Sequence, residues 1–119
     1  MRYLYIDQRA AVHLRDEPPL ALDALQDLLG GYVEEIWFER REGEPRLAVL
    51  DNEEGLLVNL PPTVRFPQVY SVDGVLRGAV VIMAVDEHGD QTDLTDAQLA
   101  RVTVRSLAGD LYPTLHISE

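Results

Sequence analysis

Asp86, His88, Asp90 and Asp93 lie close together in the sequence and have side chains that could bind a metal ion. A calcium loop needs oxygen ligands at alternating positions, glycine at its sixth residue and a bidentate glutamate at its end. Gly89 is only the fourth residue from Asp86, and no glutamate follows at the required distance. Histidine with carboxylates would instead suit a transition metal. These four residues are candidate ligands of a metal-dependent hydrolase, but an exposed hairpin turn would have the same composition.

The residue types needed for nucleophilic catalysis are sparse. The chain has no cysteine, and Ser71, Ser106 and Ser118 are not flanked by the glycines of a nucleophile elbow. The glycine pair at 30–31 lacks the surrounding residues of a phosphate-binding or dinucleotide-binding loop. We therefore predict no catalytic residue and no cofactor, and we expect a protein that is not an enzyme.

The charge is unusual, because the 119 residues carry a net charge of −11 and all ten basic residues are arginine. Residues 34–54 hold eight acids and three arginines, and residues 86–96 hold five acids and no base. Such a charge disfavours direct binding to nucleic acid or anionic lipid. The two segments are either solvated turns or a surface that binds a basic protein. The candidate interaction residues are Glu34, Glu35, Trp37, Glu39, Glu53 and Glu54.

The hydrophobic pattern predicts an α+β fold in one domain, residues 1–119. We expect a small, mostly antiparallel or mixed sheet of about five to seven short strands with two helices. Residues 64–70 are either an edge segment or a loop. The predicted strands are 2–7, 11–15, 32–40, 46–50, 56–60, 75–85 and 111–118, and the predicted helices are 20–29 and 96–102. A capping box, Thr95 to Gln98, marks the start of the second helix.

Within the strand at 32–40, alternation directs Ile36 and Phe38 to the core and Trp37 to the opposite face. Trp37 could then anchor a partner, or it could belong to the core if a further layer covers that face. We favour the core. The same assignment is made for four tyrosines, Tyr3, Tyr5, Tyr32 and Tyr70.

Several blocks of these elements carry a family resemblance. They are LDALQDLLGGYVE (22–34), NEEGLLVNLP (52–61), VLRGAVVIM around Gly78 and DLTDAQL (93–99). In this order they resemble the uncharacterised family called domain of unknown function 3846, which occurs in phages, plasmids and bacterial chromosomes. The resemblance covers about residues 1–103 and leaves 104–119 as a C-terminal extension. In the family pattern, the turn after Leu60 usually ends in asparagine. In this chain Pro62-Thr63 occupies that turn. The resemblance implies a mobile-element context and a shared scaffold, but no catalytic residues.

The leading hypothesis is a small acidic accessory protein that acts by binding an unidentified protein through a sheet edge or an acidic face. One alternative is a DNA-mimic inhibitor of a basic nucleic-acid-binding protein, and another is the metal-dependent hydrolase. A homodimer is compatible with either binding hypothesis. We expect a cytoplasmic protein without a membrane partner, because the N-terminus lacks a signal-peptide pattern and no apolar run could span a bilayer.

Overall fold

The computed structural model describes residues 1–69 and 74–118, and these residues form two helices and ten strands. The α+β class is therefore confirmed, with more strands than the sequence indicated. In chain order the elements are β1 (Arg2–Ile6), β2 (Val12–Asp16), α1 (Leu22–Leu29), β3 (Val33–Glu39), β4 (Arg46–Asn52), β5 (Pro62–Arg65), β6 (Val75–Arg77), β7 (Val80–Val85), β8 (Gln91–Thr92), α2 (Asp96–Arg101), β9 (Val102–Arg105) and β10 (Thr114–Ile117).

The strands form two sheets. Sheet A has the order β2-β1-β7-β4-β3, with β8 also paired to β7, and all of its pairings are antiparallel. Sheet B has the order β6-β5-β10-β9 and is mixed, because β10 runs parallel to β5. Strands β6 and β10 lie within predicted strands, at 75–85 and 111–118. No strand was predicted for β9, and residues 64–70, which β5 overlaps, were left as an edge segment or a loop, so a second sheet was not expected.

Sheet A is the middle layer of the molecule, with α1 on one face and sheet B on the other. On the first face, Leu25 and Leu29 of α1 pack with residues of β1, β4 and β7. On the second face, side chains from the same three strands meet Val64, Leu115 and Ile117 of sheet B. Strands β4 and β7 are therefore covered on both sides, which explains their nearly continuous apolar sequences.

The run 75–85 is not one strand, contrary to the prediction. Gly78 has a φ of +78° and separates β6, which belongs to sheet B, from β7, which lies inside sheet A. A Cβ atom at Gly78 would lie 2.7 Å from Leu60 Cδ1, so the Leu60 side chain packs directly on the backbone of this glycine. The chain thus changes sheet at a residue where only glycine fits.

Residues 56–60 do not form a strand, although their apolar sequence predicted one. They belong to a hydrogen-bonded turn segment between β4 and β5, in which Val58 N–H donates to the Glu54 carbonyl and Leu60 N–H to the Gly55 carbonyl. The connection leads from sheet A to sheet B.

The predicted orientation of Phe38 is wrong. A bulge between Glu35 and Trp37 shifts the register of β3 on β4, so Phe38 is exposed while Ile36 and Trp37 both pack against the core. The Trp37 ring makes an edge contact with Phe66, with ring centroids 6.0 Å apart. Tyr32 is also exposed, contrary to expectation, and Tyr70 lies outside the described residues.

The second helix begins as predicted. Thr95 Oγ1 accepts a hydrogen bond from Gln98 N–H, and the Gln98 side chain accepts one from Thr95 N–H. Gln98 is buried and its Nε2 also donates to the Pro45 carbonyl at 2.8 Å, which ties α2 to the β3–β4 turn. In the part of the chain that the structure describes, no helix is long and apolar enough to cross a membrane.

Candidate functional site

Asn52, at the end of β4, connects three segments of the chain. Its Nδ2 donates a 3.0 Å hydrogen bond to the Leu29 carbonyl at the end of α1, and its Oδ1 accepts from Glu54 N–H at 2.8 Å. Glu53 N–H donates to the Tyr32 carbonyl. The blocks LDALQDLLGGYVE and NEEGLLVNLP, which lie far apart in the sequence, are therefore in direct contact.

The glycine pair after α1 makes this contact possible. Gly30 has a φ of +79° and ends the helix in the left-handed conformation, with its N–H bonded to the Gln26 carbonyl. At Gly31 a Cβ atom would lie 2.9 Å from Asn52 Nδ2. Because that distance is shorter than van der Waals contact, the Asn52 side chain fits in its position only when residue 31 has no Cβ atom.

Glu34 and Asp51 form a carboxyl pair beside this contact. They lie directly opposite each other on β3 and β4, and Asp51 is only 7% exposed. Burial, followed by the hydrogen bond to Glu34, raises the pKa of the Asp51 carboxyl to about 8. Asp51 is therefore neutral at pH 7 and donates to the Glu34 carboxylate, while no group in residues 1–69 or 74–118 bonds to its Oδ1. Chemically, the pair can store and release one proton.

An apolar surface projects from the same end of sheet A. We call residues 53–60 the apolar loop, because Leu56, Leu57 and Val58 are 63%, 84% and 54% exposed. The loop has internal backbone hydrogen bonds, and Leu60 anchors it against Gly78. Glu53 and Glu54 stand at its beginning, and Glu53 is exposed. The loop presents three consecutive apolar side chains next to carboxylates.

The two acidic segments are only partly brought together. The turn that contains Gly43 and Glu44 adjoins the turn at 86–88, and both line an open depression of about 440 Å³. Glu34, Asp51, Glu53 and Glu54 lie at the other end of the β3–β4 pair. The carboxylates are thus divided between two ends of sheet A, which does not produce the single row that mimicry of DNA requires.

The candidate metal ligands have structural roles. Asp86 Oδ1 accepts hydrogen bonds from His88 N–H and Asp90 N–H within the β7–β8 turn. Asp93 Oδ1 accepts from Arg2 N–H at 2.7 Å and lies 3.7 Å from the N-terminal amine. The structure does not bring the four side chains into one ligand set, and among the described residues no group of three or more potential ligands converges.

The candidate interaction residues do not share one surface. Glu35 makes an ion pair with Arg46, while Glu39 pairs with Arg41 at 2.8 Å and Arg101 at 3.2 Å. Trp37 packs on Phe66, as described above. Glu53 and Glu54 lie on the apolar loop, with Glu34 in the neighbouring carboxyl pair. Glu34, Glu53 and Glu54 are therefore the three of these residues that lie at the same end of the β3–β4 pair.

The pairing of Asp51, the contacts of Asn52 and the exposure of the apolar loop do not follow from the sequence pattern. The pattern RLAVL predicts that β4 ends at Leu50, whereas pairing with β3 continues to Asn52. Asp51 and Asn52 were therefore expected in a turn and not in a strand. The block NEEG could have indicated the Asn52 turn, since asparagine commonly bonds to the backbone two residues later.

A family model described as "Domain of unknown function (DUF3846)" matches residues 1–106. The match extends slightly beyond the region expected from the motifs and ends before β10. No curated protein and no solved structure matches the chain. Strand β10, which lies at the centre of sheet B, is thus outside the matched region.

Proposed function

Because the chain belongs to the DUF3846 family, whose function is unknown, we propose a function from its geometry: it binds another protein through the apolar loop. The observation that carries this proposal is the exposure of Leu56, Leu57 and Val58 on a hydrogen-bonded segment. Contiguous exposed apolar side chains with a polar border are typical of protein-binding sites. The role is that of an accessory protein of a mobile-element-related family, acting in the cytoplasm.

The loop is organised before binding. Its backbone is held by hydrogen bonds from Gly55 N–H to the Asn52 carbonyl and from Leu60 N–H to the Gly55 carbonyl. Since little loop entropy remains to be lost, more of the apolar contact contributes to affinity. Glu53 and Glu54 border the apolar side chains, so the matching partner surface is an apolar pocket with a basic rim.

The alternatives have less support. The divided carboxylates weaken the DNA-mimic hypothesis, and the hydrogen bonds of Asp86 and Asp93 weaken the hydrolase hypothesis. A sheet-edge contact remains the best competitor. On β2, an edge strand of sheet A, Val12 and Leu14 are exposed apolar residues and provide a matched comparison.

The test places a photo-crosslinking amino acid at Leu57 or at Leu14 in the native host, followed by mass spectrometry. We expect one protein to be crosslinked from Leu57 and not from Leu14. The triple variant Leu56→Ser, Leu57→Ser, Val58→Ser should lose that protein, whereas Val12→Ser, Leu14→Ser should retain it. Circular dichroism checks that both variants are folded.

Other outcomes would contradict the proposal. Crosslinking from Leu14 with loss in the β2 variant would favour the sheet edge. The triple variant could instead still bind a nucleic-acid-binding protein, and added salt could dissociate that complex. This result would favour binding through the acidic turns, as the DNA-mimic hypothesis requires. A crosslink from Leu57 only to a second copy of this chain, confirmed by light scattering, would replace the accessory role with a homodimer.

A further inference from the structure

Sheet B differs in charge from the rest of the molecule. Its four strands contain no acidic residue, although the chain has 21 acids among 119 residues. They do contain three arginines and one histidine, which are Arg65, Arg77, Arg105 and His116. The strands of sheet B thus carry basic groups without any acidic one, whereas those of sheet A carry both.

Two of these arginines lie in a row on the outer face of sheet B. Arg65 of β5 is in register with Thr114 of β10, which is in register with Arg105 of β9. The adjacent residues Val64 and Leu115 are buried in the core, so the residues of the row point outward. With a strand spacing of about 4.8 Å, the Arg65 and Arg105 Cα atoms are about 10 Å apart. Among the described residues, neither arginine forms an ion pair.

A depression of about 580 Å³ lies over β9 and β10 on this face. Hydrogen-bonding groups of Thr103, Arg105, Thr114 and His116 line it, and Leu107 and Ala100 add apolar surface. Its volume is in the usual range for small-molecule sites, about 300–1,000 Å³. Asp110 also lines it, and its Oδ2 accepts a hydrogen bond from Leu107 N–H at 3.2 Å.

We propose that this depression binds a small organic molecule that carries a phosphate group, with Arg105 as the main phosphate ligand. The guanidinium group matches a phosphate through two parallel hydrogen bonds, and the Thr114 hydroxyl can donate to a remaining oxygen. The Thr103 hydroxyl donates to the His116 carbonyl at 3.3 Å and so contributes as a polar neighbour. Leu107 and Ala100 would contact the organic part. A long polyanion is disfavoured, because the net charge of −11 acts on all of its phosphates, whereas a single phosphate interacts mainly with the local groups.

The site belongs mostly to the region beyond the family match. Leu107, Asp110, Thr114, His116 and Ser118 line the depression and follow residue 106, where the match ends. Arg105 itself lies within the matched residues 1–106, so the site joins a residue of the matched region to residues beyond it. It is separate from the apolar loop, so either proposal can fail without the other.

The test is a titration of the ¹⁵N-labelled full chain with phenyl phosphate, followed by amide chemical shifts. We expect shifts at Thr103, Arg105, Thr114 and His116. Arg105→Gln should weaken binding about tenfold or more, since a charge-assisted pair is lost, while Arg40→Gln, an exposed arginine outside sheet B, should not. Asp110→Asn should tighten binding, because it removes a negative charge and keeps an oxygen that can accept from Leu107 N–H.

Three results would overturn the proposal. The first is the absence of shifts on this face. The second is equal weakening by Arg40→Gln and Arg105→Gln, which would indicate attraction to any arginine. The third is binding of a short single-stranded oligonucleotide at the same residues more tightly than phenyl phosphate, which would identify a nucleic-acid surface instead.

Discussion

Asp51 is a carboxylic acid that the fold holds in its neutral form next to a carboxylate. The two groups meet because β3 and β4 place Glu34 and Asp51 in register, and burial excludes the water that would stabilise a second charge. At the residue scale, this pair makes the free energy of unfolding depend on pH.

The pair predicts that stability falls as pH rises. Asp51 ionises near pH 3.8 in the unfolded chain and near pH 8 in the folded protein, so folding takes up a proton between these values. The stabilisation is complete below pH 3.8 and is lost as pH rises towards 8, by up to about 1.4 kcal/mol per pH unit. We expect Asp51→Asn, which still donates to Glu34, to flatten this dependence in urea unfolding at several pH values.

Asp27→Asn is the matched control, because Asp27 is exposed on α1. Its free energy of unfolding should follow the wild-type pH dependence. If Asp51→Asn and wild type also remain parallel between pH 4 and pH 8, the folded protein does not hold Asp51 neutral.

Side-chain orientation was less predictable than strand location at this scale. Strict alternation in β3 pointed Phe38 inward, but one bulge reverses the direction of every later residue in the strand. The residues around Ile36 include no glycine or other turn signal that would have indicated the bulge. Trp37 packs against the core beside Phe66, which directly follows β5 and is distant in the sequence.

At the scale of elements, the Asn52–Gly31 contact joins α1 to β4. We expect Asn52→Ala to destabilise the protein by about 1–3 kcal/mol, because the buried Leu29 carbonyl loses its donor. Gly31→Ala should also destabilise it, since the added methyl group would collide with Asn52 Nδ2. In the double variant this collision is absent, so the two losses should be less than additive in urea unfolding.

Gly43→Ala provides no such coupling, because a Cβ atom there has no neighbour within 4 Å and Gly43 is remote from Asn52. Its φ of +80° predicts a cost of its own. That cost should add to the cost of Asn52→Ala. Additive losses for Asn52→Ala with Gly31→Ala would contradict the proposed steric match.

Helices and the first strands were predictable because local signals mark them: the glycine pair ends α1 and the capping box starts α2. The division of residues 75–85 was not predictable, because it depends on strand partners: β6 pairs with β5, whereas β7 pairs with β1, β4 and β8. Strand partners depend on distant residues, and periodicity within one segment does not identify them.

For the whole molecule, the residues beyond the family match complete the core. Leu115 and Ile117 of β10 are fully buried between the two sheets. We expect Leu115→Ala to reduce the free energy of unfolding by about 2–5 kcal/mol, as for other buried leucines. Leu111→Ala, which truncates an exposed leucine nearby, should change it by about 0.5 kcal/mol or less. Similar losses in both variants would show that β10 is not part of the core.

The distribution of charge was predictable along the chain but not in space. Two acidic segments were evident in the sequence, and the fold divides the first between opposite ends of β3 and β4. The acid-free composition of sheet B becomes visible only when its four separate strands are assembled.

Because β5 pairs with β10, which is far away in the sequence, sheet B cannot be completed until β10 has been synthesised. Val64 and Phe66 leave the ribosome long before Leu115 and Ile117, which cover the same core. Until β10 is made, β5 has a free edge next to apolar side chains, a combination that promotes aggregation. Pairings between residues so distant in sequence also form slowly. The nascent chain therefore passes through an aggregation-prone interval that ends only when β10 enters the centre of sheet B.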